Sequence, residues 1–300
     1  MKWFSGLVRV TAAVVCVLSF SASAVTVTDS HGQFTIDSTP KRIVALEFSF
    51  VDALVSVGVS PVGIADDNDA NRLLPAVRQE LSNDWRSVGT RSQPSLEVIA
   101  ALKPDLIIAD TDRHSAVYKE LSKIAPTLLL PSRRETYQDN LKSAAIIGKV
   151  VGRDTQMQAR LKQHEERMNE YAKALSSLKG KPVLFGVARA NGFYAHSADS
   201  YDGGVIQRLG LTSPTGLDNE QASRLISLEQ LLGLNPQYLV VGDYVKDSIV
   251  DQWQNQPLWQ ALQAVRAKHI YHVDGNMWAR CRGILAAEFM AQDLLKLVKA

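Results

Sequence analysis

Ser95-Leu96-Glu97-Val98-Ile99 leads through Leu102 to Pro104 and on to Leu106-Ile107-Ile108-Ala109. Far downstream, Ser227-Leu228-Glu229-Gln230-Leu231 leads through Leu234 to Pro236 and on to Leu239-Val240-Val241. Ser, Leu, Glu, Leu and Pro recur in the same register without a gap. Each copy predicts a short helix with Ser as N-cap and Glu in the first turn, where an acid meets the positive end of the helix dipole; a proline break and a buried strand follow. Duplication of one α/β unit explains the match.

The same grammar extends outward from both copies. In the first half, Arg42–Leu46, Val62–Ala65 and Thr127–Leu130 read as strands and Val51–Val57 as a helix. In the second, Val183–Ala188, Leu239–Val241 and Ile270–Val273 read as strands, with helices at Val205–Leu209 and Leu258–Val265. Strands separated by helices imply parallel sheets covered on both faces. Val25–Asp29 and Gln33–Ile36 flank a Ser-His-Gly turn and predict a small hairpin. Between the halves, Gly152, a candidate N-cap at Asp154, and the stop at Gly180 and Pro182 bound one long helix over 153–179. Met157, Leu161, Met168, Ala172, Leu175 and Leu178 give it one apolar face, and at about 1.5 Å per residue it is long enough to run from one half to the other. The expected fold class is α/β: an N-terminal lobe over 25–152, a connecting helix over 153–179 and a C-terminal lobe over 180–300, both lobes doubly wound. A stiff helical connector restricts the lobes to small hinge changes.

The N-terminus addresses the compartment. Lys2 and Arg9 precede an almost wholly apolar run from Val10 to Phe20, and Ala22-Ser23-Ala24 supplies the small residues at which a signal peptidase cuts, so 1–24 reads as a signal peptide cleaved after Ala24. The run is too short to span a bilayer. A lipoprotein leader using Cys16 needs a small residue before the cysteine, where Val15 stands. Cleavage removes Lys2 and Arg9 from 33 basic residues and nothing from 31 acidic ones, leaving 31 of each. A balanced chain has no electrostatic reason to seek nucleic acid or a membrane surface. The remaining cysteine, Cys281, excludes an internal disulfide and reads as a small buried apolar residue.

Pro40–Val44 reads Pro-x-Arg-Ile-Val, Gly89–Glu97 reads Gly-x-x-x-x-Pro-x-x-Glu, and Leu102–Ile108 reads Leu-Lys-Pro-Asp-Leu-Ile-Ile. In these segments the chain, from about Val25 to Ala300, resembles the helical-backbone (class III) periplasmic binding proteins that serve ABC importers of iron siderophores, haem and vitamin B12. Ile64–Ala70, Val88–Arg91, Ile108–Asp110 with Arg113-His114, and Trp278–Arg280 resemble the ferric citrate branch of that family. The resemblance implies a monomeric periplasmic carrier, not an enzyme, that closes two lobes on iron(III) citrate and delivers it to an inner-membrane permease with its cytoplasmic ATPase. It implies no cofactor and no protein metal ligand, since citrate oxygens fill the iron's coordination sphere. Another siderophore, haem or a corrinoid is the alternative guest. The resemblance also implies that Glu97 and Glu229, equivalent in the internal repeat, dock on permease arginines, a role compatible with the dipole one.

An anionic guest calls for arginine, whose planar fork binds carboxylates bidentately and keeps its charge. Loops past the carboxyl ends of strands face the cleft of doubly wound sheets, and Arg91, Arg113, Arg189 and Arg280 fall in such loops on both halves. Taken singly each is an ordinary surface residue; the set is not. Tyr194, Tyr244 and Trp278 are candidates for a wall around the guest, with lobe packing an equal reading for Trp278. Arg72, Arg282 and Asn68 form a second tier. Zinc or manganese capture would need converging His and carboxylate ligands, yet the histidines at 31, 114, 164, 196, 269 and 272 are scattered, and only His114 and His196 sit where a cleft ligand would. A periplasmic hydrolase lacks its signatures: neither Gly-x-Ser-x-Gly nor His-Glu-x-x-His occurs, and Gly148-Lys149 lacks the upstream glycine of a phosphate loop. Adjacent Asp66 and Asp67 read as turn residues.

Overall fold

The computed structural model describes residues 24–217 and 222–296. The leader, read over 1–24, lies outside the described residues apart from Ala24. Strands β1 (Val25–Asp29) and β2 (Gly32–Ile36) form the expected hairpin, Val25 opposite Ile36. The first sheet holds β3 (Ile43–Ala45), β4 (Gly63–Ile64), β5 (Arg86–Ser87), β6 (Leu106–Asp110) and β7 (Thr127–Leu130) in the order β5-β4-β3-β6-β7, all parallel. The second holds β8 (Val183–Arg189), β9 (Gly192–His196), β10 (Ser223–Ile226), β11 (Tyr238–Asp243) and β12 (Ile270–Asp274) in the order β10-β9-β8-β11-β12. Position by position the two sheets share one order.

The repeat that opened the sequence reading occupies equivalent places. Ser95 and Ser227 both cap their helices, accepting from the backbone N–H of Val98 and Gln230. Both copies then turn through a left-handed residue before the proline, Lys103 at φ 47° and Asn235 at φ 39°. β6 and β11 follow, each fourth in its sheet.

The expectation of purely parallel sheets is corrected in the second lobe. β9 runs antiparallel to β8, and β10 antiparallel to β9. Arg189 pairs with Gly192, so only Ala190 and Asn191 join β8 to β9. A two-residue turn cannot make the crossover that a parallel neighbour requires. The helix expected over Leu258–Val265 is two short ones, Pro257–Ala261 and Gln263–Arg266, because Leu262 between them is extended in ψ. The first helix begins earlier than expected, at Phe48.

The connector is a helix over Asp154–Ala174, about 32 Å long, continued by a 3₁₀ turn over Ser176–Leu178. Asp154 is its first residue and not its cap; it sits in the first turn, where the dipole favours an acid. Its apolar face divides: Met157 joins the first-lobe core, while Met168, Leu175 and Leu178 join the second. Two neighbouring helices divide in the same way. Tyr137–Val150 sends Ile147 and Val150 to the first core and Tyr137 to the second; Ile284–Leu294 sends Ile284 and Ala286 to the first, Met290 and Leu294 to the second. The lobes are therefore tied by a layer of three helices, with the connector packed against both others.

A polar network, buried at Tyr137, His164 and Glu288 and reaching the surface at Arg167, knits that layer. Tyr137 Oη lies 2.7 Å from His164 Nε2, and His164 Nδ1 lies 2.8 Å from Glu288 Oε1. Arg160 Nη2 and Arg167 Nη1 reach Glu288 at 2.8 and 2.7 Å. Burial alone would raise the Glu288 carboxyl, but His164, Arg160 and Arg167 outweigh it and hold the group at about 2. The start of the third helix is capped from another element: the Asp52 carboxylate accepts from the backbone N–H of Leu285 and Ala286, each at 3.1 Å. Gly283 turns beside it at φ 137°, where a Cβ would fall on the Asp52 carboxylate.

Glu288→Gln removes the charge shared by three cationic or polar partners and turns one of its two acceptor oxygens into a donor, and we expect it to lower unfolding free energy near neutral pH by about 3 kcal/mol. A carboxylate whose folded pKa is depressed stabilises above its unfolded value and loses that contribution as pH falls through the folded one. The stability gap between wild type and variant should therefore close as pH drops from about 4.5 toward about 2. Denaturant titrations at stepped pH measure it; a gap unchanged across that window would contradict this role.

Candidate functional site

The first-lobe half of the site is built at the carboxyl ends of β3 to β7. Glu47 lies two residues past β3, and the next residue, Phe48, places its ring 4.0 Å from the Arg91 guanidinium carbon. After β4, Asp66 makes the turn, accepting from the Asn68 backbone N–H and the Ser87 hydroxyl. Asp67 and Asn68 follow in left-handed backbone at φ 60° and 57°. After β5, Gly89 at φ 97° opens the loop that carries Arg91. At the end of β6, Asp110 caps the short helix Thr111–His114, one oxygen accepting from the backbone of Asp112 and Arg113. Its other oxygen accepts from Ser132 and Arg133 in the loop past β7. His114 is wholly buried; its Nδ1 accepts from the Asp110 N–H, so Nε2–H donates to the Arg91 carbonyl at 2.8 Å. Burial lowers its pKa and keeps that tautomer neutral. One histidine thereby fixes one loop against another.

The second-lobe half comes from β8, β9, β11 and the helix Gly275–Arg280 past β12. Arg189 ends β8, exposed, with its guanidinium carbon 5.0 Å from the Tyr194 ring and 4.9 Å from the Tyr244 ring. Arg280 lies 5.0 Å from the Tyr244 ring on its own approach. Cation–π contact orders the guanidinium groups without neutralising them.

A run of ion pairs threads the first-lobe half and crosses to the second at Arg280. Arg113 Nε lies 2.6 Å from Glu47 Oε1, and Arg91 Nη1 lies 3.5 Å from Glu47 Oε2. Arg91 Nη2 lies 2.9 Å from Asp67 Oδ2, and Arg280 Nη1 reaches the same oxygen at 2.8 Å. A contiguous chain thus runs Arg113, Glu47, Arg91, Asp67, Arg280, Tyr244, Arg189, Tyr194. Four guanidinium groups face two carboxylates, a surplus of two positive charges. Burial pushes the Glu47 carboxyl upward against the pull of Arg91 and Arg113. Burial acts the same way on Asp67, but there the hydrogen bonds and charge of Arg91, with Arg280, prevail and hold it at about 2.

The four arginines and both tyrosines of the sequence reading are brought together. Trp278 is not: at 1 % exposed it packs on Phe185, ring centroids 5.0 Å apart, and its indole N–H donates to Asp293 at 2.9 Å. Its side chain is core, because residues two apart on the Gly275–Arg280 helix point to different sides. Arg91 is itself buried, at 5 % exposed, so it acts inside the cluster, while Arg113, Arg189 and Arg280 keep exposed surface. In the second tier, Arg72 approaches Asp67 at 3.5 Å, Arg282 donates to the Ser132 carbonyl, and Asn68 is exposed in its turn. Glu97 and Glu229 lie elsewhere, exposed on the first turns of their helices. Cys281 is buried, as read.

Two acids escaped the sequence reading. Glu47 interrupts the apolar run Val44-Ala45-Leu46 directly past a strand end, a signal that was there to be used. Asp67 was read as a turn residue beside Asp66; only Asp66 does that work. Of the two histidines placed near a cleft, His114 is spent on positioning and His196 pairs with Asp202 at 2.8 Å. Among the described residues no three His, Cys, Asp or Glu side chains gather as a metal-holding group.

The comparisons with known proteins agree with this architecture. The family described as "Periplasmic binding protein" matches residues 43–277. The chain is 54 % identical to the Fe(3+) dicitrate-binding periplasmic protein of Escherichia coli (strain K12), covering 92 % of this chain and 91 % of that one. It is 42 % identical to the Fe(3+)-citrate-binding protein of Bacillus subtilis (strain 168), over 90 % and 84 % of the two chains. Among solved structures, Staphylococcus aureus SirA complexed with staphyloferrin B aligns with a TM-score of 0.81 at 25 % identity, covering 92 % of this chain and 98 % of that one. With two like-ordered sheets, a helical connector and a family match across both lobes, the chain belongs to the periplasmic binding protein family, in its helical-backbone class.

Proposed function

We propose that this protein binds iron(III) citrate between its lobes and hands it, unaltered, to an inner-membrane ABC permease driven by a cytoplasmic ATPase. The observation that carries the reading is the surplus of guanidinium over carboxylate along a cluster drawn from both lobes. A ferric citrate complex is anionic and its iron is already coordinated, so it asks for fixed cations and hydrogen-bond donors rather than metal ligands. Arg189 is the most available: it is exposed, oriented by two tyrosine rings, and has no carboxylate partner among the described residues. Arg113 and Arg280 supply further donors, and Arg91 acts from behind as a buried charge. The two relatives named for ferric citrate support the same guest. The compartment is the periplasm, reached through the leader cut after Ala24, and the carrier works as a monomer.

The docking surface is proposed separately. Glu97 and Glu229 are exposed and occupy the same position of a duplicated unit, one per lobe, which suits arginines presented by a permease with two similar halves. Both first-turn acids also sit at the positive ends of their helices, which favour a negative charge.

Two outcomes follow from these assignments. In calorimetric titrations run side by side, ferric citrate should bind, and a neutral ferric hydroxamate should not. Arg189→Gln should weaken ferric citrate roughly tenfold to a hundredfold, the range for losing a charged hydrogen-bond partner. Tighter hydroxamate binding, or an unaffected variant, would overturn the guest. The double variant Glu97→Arg with Glu229→Arg should abolish uptake in cells while the purified protein keeps its affinity; unimpaired uptake would remove the docking role.

A further inference from the structure

Asp67 meets three arginines, Arg72 only at 3.5 Å and partly exposed, and holds the other two in different ways. Its Oδ1 accepts from the Arg91 backbone N–H at 3.0 Å, and its Oδ2 takes Arg91 Nη2 at 2.9 Å and Nε at 3.3 Å. That grip is threefold and stays within the first lobe. Arg280, from the helix past β12 of the second lobe, is held by one bond, Nη1 to Oδ2 at 2.8 Å. Arg280 also keeps 24 % of its side chain exposed, whereas Asp67 keeps 8 %. The Asp67 backbone at φ 60°, continued into Asn68, is a conformation that side chains rarely adopt and that persists only where surrounding contacts over-determine it. Glu47 offers a contrast, sealed at 2 % exposed between Arg91 and Arg113.

We infer that Asp67 is a built-in competitor, an internal carboxylate seated on the Arg280 subsite that a carboxylate of the guest takes over on binding. The inference rests on the anionic-guest reading above and adds the residue that sets its affinity and selectivity. Binding is then an exchange of ion pairs: Arg280 passes from Asp67 to the guest, while Asp67 keeps Arg91 in place through its other contacts. A guest without a carboxylate of comparable strength has nothing to offer Arg280 in return. The charge of Asp67 therefore lowers affinity and raises discrimination, and its Oδ1 shapes the loop independently of that charge.

Asp67→Asn separates the two roles, since asparagine keeps the Oδ1 acceptor and tolerates left-handed backbone better than most residues. Titrated with ferric citrate, D67N should bind roughly threefold to tenfold more tightly than wild type, the range for releasing one partly exposed ion pair. In an Arg280→Gln background the same substitution should give no gain, because the one cation that passes from Asp67 to the guest is already absent. Asp69→Asn is the control for bulk charge: Asp69 lies in the same loop, among the described residues its ion-pair partner is Arg72 at 3.7 Å, and its loss should change affinity less than twofold. Weaker binding by D67N, a gain that survives without Arg280, or an equal gain from D69N would each overturn the proposal. Wild-type protein that fails to bind ferric citrate would instead overturn the guest reading, and this inference with it.

Discussion

Everything at the cleft depends on one imbalance: more guanidinium groups are gathered than there are carboxylates to neutralise them. The arrangement is stable because the acids present are placed with care. Glu47 lies between Arg113 and Arg91, and Asp67 between Arg91 and Arg280. Alternating signs let like charges sit side by side without the repulsion that an unrelieved arginine cluster would suffer. Buried charges persist when paired and hydrogen-bonded, and Arg91, the most buried cation, is also the one with the most partners. Positive charge left over is carried by the side chains nearest water.

The scaffold converts chain order into that placement. In parallel sheets every strand delivers its following loop to the same edge, so Glu47, Asp67, Arg91 and Arg113 converge although they come from four different connections. His114 and Asp110 then lock those loops to one another through backbone hydrogen bonds, which explains why wholly buried polar groups are tolerated there. On the other side the hairpin of β8 and β9 brings Arg189 and Tyr194 together across a two-residue turn, a contact that a helical crossover would not make. The three-helix layer holds the two halves at a set distance. Its network around Glu288 joins all three helices, so relative motion of the lobes must be accommodated by small shifts rather than by free swinging.

Much of this was legible before any coordinates. The duplicated Ser-Leu-Glu unit marked equivalent places in two sheets, because capping and proline breaks are local chemistry. The connector was legible from uninterrupted helical spacing, and the arginines from their position past strand ends. What stayed hidden is non-local. The antiparallel β9 and β10 depend on a tight turn at Ala190-Asn191 that the strand count alone does not reveal. Asp67 looked like its neighbour Asp66, since two adjacent acids in a loop differ only in which side chain faces the distant Arg91 and Arg280. Trp278 is a candidate for a wall until the packing of Phe185 and the position of Asp293 are known, and neither is near it in a strand-by-strand reading.

The most direct examination is a crystal structure of the protein with iron(III) citrate at a resolution that separates carboxylate oxygens. Citrate oxygens within hydrogen-bonding distance of Arg113, Arg189 and Arg280, and an iron ion coordinated by no protein atom, are the predicted result. A protein oxygen or nitrogen in the iron's coordination shell, or a guest seated away from those three arginines, would contradict it.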